Sequence, residues 1–128
     1  MNKDNRHVGL YLLNTALFST HEIDSAFWKE WELFGLPGGI QVFLVLNFLL
    51  LLAVLYGFRQ LLRGARNGQM FALLLAAGGV FAFAIHGYFI LTGHREFTLP
   101  VSMALLVAIL VVSLIQGVQA LKVLRTKV

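Results

Sequence analysis

"FLVLNFLLLLAVLYGF", residues 43–58, runs for sixteen positions without a charge, and its only strongly polar side chain is the amide of Asn47. A helix rises about 1.5 Å per residue and the hydrocarbon core of a bilayer is about 30 Å thick, so roughly 20 apolar residues in helical form cross it. With its flanks this stretch reaches that length. A helix apolar all round must be surrounded by lipid or by protein, and a chain of 128 residues has little protein to spare for the purpose.

The composition agrees, since 59% of residues are hydrophobic and 12% charged, against about 25% charged in a soluble domain. Three further segments are long enough to cross. The spacing predicts an all-α, polytopic membrane protein, a single domain built as a four-transmembrane-helix bundle with spans at about 8–27, 39–58, 69–91 and 99–121. An interfacial segment is expected at about 28–37. The fourth span opens at Pro100, where the missing N–H would be unpaired anyway. The first could instead be read as a cleavable signal, but no small-residue cleavage pattern follows its apolar run.

Lysine and arginine fix the orientation. Lys3 and Arg6 precede the first span, Arg59, Arg63 and Arg66 follow the second, and Lys122, Arg125 and Lys127 follow the fourth, leaving Lys29 and Arg95 for the other side. Both termini are therefore expected in the cytoplasm. The same bias explains the net charge of +4 without nucleic acid, because the basic clusters have no interleaved aromatic residues on which bases could stack. There is no cysteine, so any metal would be held by nitrogen and oxygen.

Topology does not account for the acids and histidines. Glu22, Asp24, Glu30, Glu32 and Glu96, with His21, His86 and His94, all fall at or near the outer face, although the positive-inside rule makes no such demand on them. His21 lies about 9 Å and His86 about 8 Å below the outer ends of their helices, so the two imidazoles share a depth. Asp24 shares a face with His21, whereas Glu22 points about 100° away. On the third span, Gly78, Ala82 and His86 form one stripe of small residues, which favours close packing and turns His86 into the bundle. Gln41, Asn47 and Ser102 could complete an outer polar layer. Phe27, Trp28, Trp31 and Phe34 in "FWKEWELFGLPGG" suggest a short surface helix at headgroup level, with Glu30 and Glu32 turned toward the headgroups.

"THEIDSAFWKEWELF" and "FAIHGYFILTGHREFTLPVS" resemble a family of small bacterial integral membrane proteins of unestablished function. In that family a Thr-His-Glu-(Leu/Ile)-Asp motif with a downstream Glu-Trp precedes a histidine pair, a Glu-Phe and a Ser. Thr20, His21, Glu22, Ile23 and Asp24 fit the first block with Glu30 and Trp31, and His86, His94, Glu96, Phe97 and Ser102 fit the second. Ser25 stands where alanine is usual, and Phe89 and Ile90 occupy the stretch where a further histidine is expected. The resemblance implies a multi-pass protein of the bacterial inner membrane with one composite site, and no particular reaction.

Three functions fit these residues. A non-catalytic subunit, partner-binding or lipid-interaction protein asks least of the sequence; its partners would be membrane lipids, a homo-oligomer or a larger membrane complex. A metal-dependent enzyme acting on a lipid or amphiphile would draw ligands from His21, Asp24, His86, His94 and Glu96 for one divalent zinc, manganese or iron ion, with Glu22 as general base. "HEID" is not the H-E-x-x-H zinc motif, and His94 reaches the ion that His86 binds only if the helix breaks at Gly93. A proton-coupled transporter would use the same groups, but the inner half offers only Asn14, Ser113, Gln116 and Gln119 to continue a path.

Overall fold

A computed structural model describes residues 3–126, and among them there are five helices and no strand. These are α1 (Lys3–Phe27), α2 (Glu30–Leu33), α3 (Gly39–Leu62), α4 (Arg66–Leu91) and α5 (Pro100–Thr126). The long helices form a ring in which α1 and α4 each pack against α3 and α5, and α1 also touches α4 across the middle. Glycine ends α3 and α4. Gly64 and Gly93 take positive φ, and the amides of Ala65 and His94 return to the carbonyls of Gln60 and Phe89 at 3.2 and 2.9 Å, the Schellman closure of a helix C-terminus.

Helices α3, α4 and α5 are long and apolar enough to cross a membrane, with mean hydropathy of 2.4, 1.9 and 2.5 over their most apolar stretches. This is a membrane protein with three such helices among the described residues, not the four expected. Helix α1 has the length, at 25 residues, but not the composition: Asn14, Thr15, Ser19, Thr20, His21, Glu22, Asp24 and Ser25 dilute its apolar run.

Its most polar face is turned inward. Tyr11, Asn14, His21 and Ser25 fall on one side of α1 and are all at most 1% exposed, while Leu12, Leu13, Ile23 and Phe27 face out. Tyr11 donates its hydroxyl to the Val54 carbonyl of α3 at 2.7 Å. Asn14 donates to Ser113 Oγ at 3.1 Å and to Gln116 Oε1 at 3.3 Å on α5, and Gln116 donates to the Ala72 carbonyl of α4 at 2.7 Å. All four long helices are thus tied together below the histidines by uncharged groups that satisfy one another.

Small residues on α4 allow the approach, with Ala82 and His86 turned inward as expected and Gly79 in the place expected of Gly78. Ala72, Ala76, Gly79, Ala82 and His86 are among its buried positions. A Cβ at Gly79 would run into Ser113 Oγ of α5, whereas one at Gly78 would meet only Phe18 at an ordinary 3.6 Å. The close contact is therefore at Gly79. Helix α3 buries only Phe43, Gly57 and Leu61 and presents the rest of its apolar surface outward.

Candidate metal centre

Helices α1 and α4 both finish at the same end of the bundle, which places His21 and His86 at one depth. Each is 1% exposed. Their Nε2 atoms lie 3.1 Å apart, with the rings nearly perpendicular at 79°. The expected meeting of the two imidazoles inside the bundle is what the structure contains.

The third member is Glu30. Helix α1 stops at Phe27, and Lys29 then adopts left-handed backbone, φ 52° and ψ 53°, a conformation that costs a non-glycine residue about 1 kcal/mol or more. The chain turns back, and the single turn of α2 delivers Glu30 to the bundle. Its Oε1 lies 3.0 Å from His86 Nε2. The helical spacing of Phe27, Trp28, Trp31 and Phe34 puts Glu30 at the headgroups; the reversal at Lys29 breaks that face, leaving Phe27 exposed and Glu30 buried.

Among the described residues, His21, Glu30 and His86 form the group able to hold a metal ion, their ligand atoms all within 4.8 Å of one another. Proton counting shows why the arrangement suits a cation. The Nε2 of His86 has either one hydrogen or one lone pair. If it carries a hydrogen, Glu30 and His21 have to share that one donor; if it carries a lone pair, it faces the carboxylate oxygen with no hydrogen of its own to offer. An ion accepts all three lone pairs at once. Ligands about 2.0–2.1 Å from a metal are about 2.9 Å apart at right angles and about 3.3 Å apart in a tetrahedron; the two contacts of His86, 3.1 and 3.0 Å, lie in that interval, while His21 and Glu30, within 4.8 Å of each other, must draw closer to share one ion.

The site has a lid of its own. Phe97, the other non-glycine residue with positive φ among the described residues, at 66°, is 1% exposed and lays its ring 4.2 Å from that of His86 and 5.6 Å from that of His21, centroid to centroid. Metal-bound histidines usually donate their second nitrogen to an oxygen. Here neither Nδ1 meets a protein acceptor, so the rings are oriented by packing against Phe97. Strained backbone on both sides of one cluster, at Lys29 and Phe97, is the pattern in which strain accompanies function.

The remaining expected ligands are elsewhere. Asp24 accepts from the Trp28 indole at 3.1 Å and is not in the cluster. The helix does break at Gly93, but the break sends His94 toward Glu96, 3.6 Å away, with both side chains partly exposed. Of the expected polar layer, Ser102 is buried, Asn47 is half-buried and donates to the Phe43 carbonyl at 3.0 Å, and Gln41 is exposed on the outside of α3. Glu22 points away from His21 into a cleft shared with Glu30 and Asn47. The roles of Glu30 and Phe97 were missed from side-chain periodicity; the Glu-Trp and Glu-Phe pairs in the two resembling blocks were the available signal.

Fold and site together define a helical membrane protein with a buried two-histidine, one-carboxylate cluster near one end. The chain belongs to a family of unknown function, DUF6713, whose model matches residues 8–123. No curated protein and no solved structure matches it.

Proposed function

We propose that this chain is a four-span protein of the bacterial inner membrane that holds one divalent transition-metal ion beneath its outer face, with His21, His86 and Glu30 as ligands. The observation that carries this reading is the convergence of three buried ligand atoms, two imidazole nitrogens and a carboxylate oxygen, with His86 Nε2 3.1 Å from one partner and 3.0 Å from the other. A set of two imidazoles and one carboxylate suits zinc, manganese or iron. Support for α1 as the fourth span comes from its inward-facing polar stripe and from Thr15 and Thr20, whose hydroxyls donate to carbonyls one turn back at 2.8 and 2.9 Å and so need no water. Lipid is the natural cover for α3.

Elemental analysis of the protein purified in mild detergent tests the metal site. About one equivalent of a transition metal is expected, as for other three-ligand sites, and His21→Ala, His86→Ala and Glu30→Gln should each lose it while remaining folded. A wild-type protein that takes up no metal, or a Glu30→Gln/His86→Ala protein that keeps it, overturns the assignment.

A second reading, a metal-dependent enzyme, is favoured by one observation: Glu30 lines an open cleft that also contains the spare carboxylate of Glu22. Three protein ligands leave a coordination position open for water or substrate, and in this reading Glu22 acts as the general base. Proton transport draws no comparable support, because the buried polar residues toward the other end, Asn14, Gln69, Ser113 and Gln116, are uncharged.

A further inference from the structure

The cleft, about 170 Å³, opens on the flank of the bundle between α1, α2 and α3. Its polar residues are Glu22, Glu30 and Asn47, and its apolar walls include Trp31, Phe43, Leu46 and Leu50. Depth orders these residues. Glu22 lies about 8 Å below the end of α1, and Leu46 and Leu50 lie about 10 and 16 Å below the start of α3, whereas one leaflet's share of the hydrocarbon is about 15 Å. The cleft thus descends from polar carboxylates near the outer surface to leucines at the middle of the bilayer, in the order in which an amphiphile in the outer leaflet presents its own groups. Its volume is below the about 300–1,000 Å³ of pockets that enclose drug-sized ligands, which suits one hydrocarbon chain. Of the three clustered side chains, Glu30 is the one on the cleft wall, so a polar end placed there approaches the ion from the Glu30 side.

We propose that the cleft admits, sideways from the outer leaflet, a single acyl chain whose oxygen-bearing polar end completes the coordination of the metal. This rests on the metal reading above. Glu22 and Asn47 flank the polar end, and Leu46 and Leu50 line the chain. Lateral access also gives α2 a purpose beyond supplying Glu30: Trp31 covers the cleft at headgroup level, where tryptophan is favoured.

The test uses a bromine-tagged alkyl hydroxamic acid, a single-chain chelating amphiphile, with Trp28→Phe protein in which Trp31 is the one remaining tryptophan. Quenching of Trp31 is titrated with zinc-loaded and zinc-free protein, the latter measuring plain partitioning into the detergent. Zinc-loaded protein is expected to saturate at about tenfold lower probe concentration or better. Leu46→Phe/Leu50→Phe, which narrows the cleft on α3, should keep its zinc and lose that advantage. Zinc retained in full, with quenching indifferent to zinc or to the double substitution, overturns the cleft proposal and leaves the metal site standing. Failure of the wild-type protein to bind zinc or any other transition metal overturns both.

Discussion

Glu30 Oε1 lies 3.0 Å from His86 Nε2 only because Lys29, immediately before it, is held in left-handed backbone. The lysine side chain contributes little in return: it is exposed and stands 4.0 Å from Glu32, a surface pair of small worth. What matters at this position is the turn. Glycine makes the same turn without the Cβ penalty.

Lys29→Gly is therefore expected to raise stability by up to about 1 kcal/mol and to keep the metal. Lys29→Val, whose branched Cβ is worst suited to positive φ, should lower the melting temperature in detergent and weaken metal retention through displacement of Glu30. Equal behaviour of the two variants would show that the turn does not position Glu30.

Phe97 bears on both imidazoles at once. Phe97→Ala removes the ring and leaves a cavity, with an expected cost of about 3 kcal/mol or more, and with the rings freed, a chelator should strip the metal faster. Phe97→Leu keeps most of the volume and should lie between wild type and Phe97→Ala. Chelator-driven release followed in time distinguishes them; identical rates in all three proteins would remove Phe97 from the site.

The Gly79 contact is a packing prediction independent of any metal. Gly79→Ala forces a methyl group onto Ser113 Oγ and close to Ile109, and overpacking of this kind costs about 1–3 kcal/mol. Part of that should return in Gly79→Ala/Ser113→Gly, although Asn14 then loses a partner whose bond in a membrane is worth about 0.6 kcal/mol. Melting temperatures of the single and double variants give the coupling. Additive losses would mean that the two positions do not touch.

Reading the chain for apolar length placed α3, α4 and α5, because nothing competes with lipid for a helix apolar on every side. Depth along a helix, which needs only the rise per residue, brought His21 and His86 to one level. What periodicity did not show was the single residue at which the helical register resets. Extending the helix past Phe27 put Glu30 on the outside, and the reversal at Lys29, a residue with no marked preference for left-handed backbone, moved it to the inside. The same holds for Phe97, whose positive φ nothing in "HREFTLP" announces. Asp24 and His94 fall outside the cluster for another reason: Asp24 shares a face with His21 and His94 follows the break at Gly93 that its ligation requires, but each has a nearer partner, Trp28 and Glu96.

The four-span arrangement makes the sharpest demand on α1, the helix whose composition is too polar by itself. Since the chain has no cysteine, single introduced cysteines report position without background. Glu32→Cys and Arg95→Cys, at exposed positions beside the proposed site, should react with a membrane-impermeant maleimide on intact spheroplasts. Asn5→Cys and Asn67→Cys, exposed at the opposite end, should react only after permeabilisation. Ala16→Cys, on the outward face of α1 midway along it, should resist the reagent in both cases and react once the protein is denatured, because a thiol in hydrocarbon does not ionise and the thiolate is the reactive form. With three spans, α1 would lie outside beside the start of α3, and Asn5→Cys and Ala16→Cys would label from the same side as Glu32→Cys. That result would take Tyr11 from Val54 and Asn14 from Ser113 and carry His21 away from His86, so the metal site and the cleft would fall together with the fourth span.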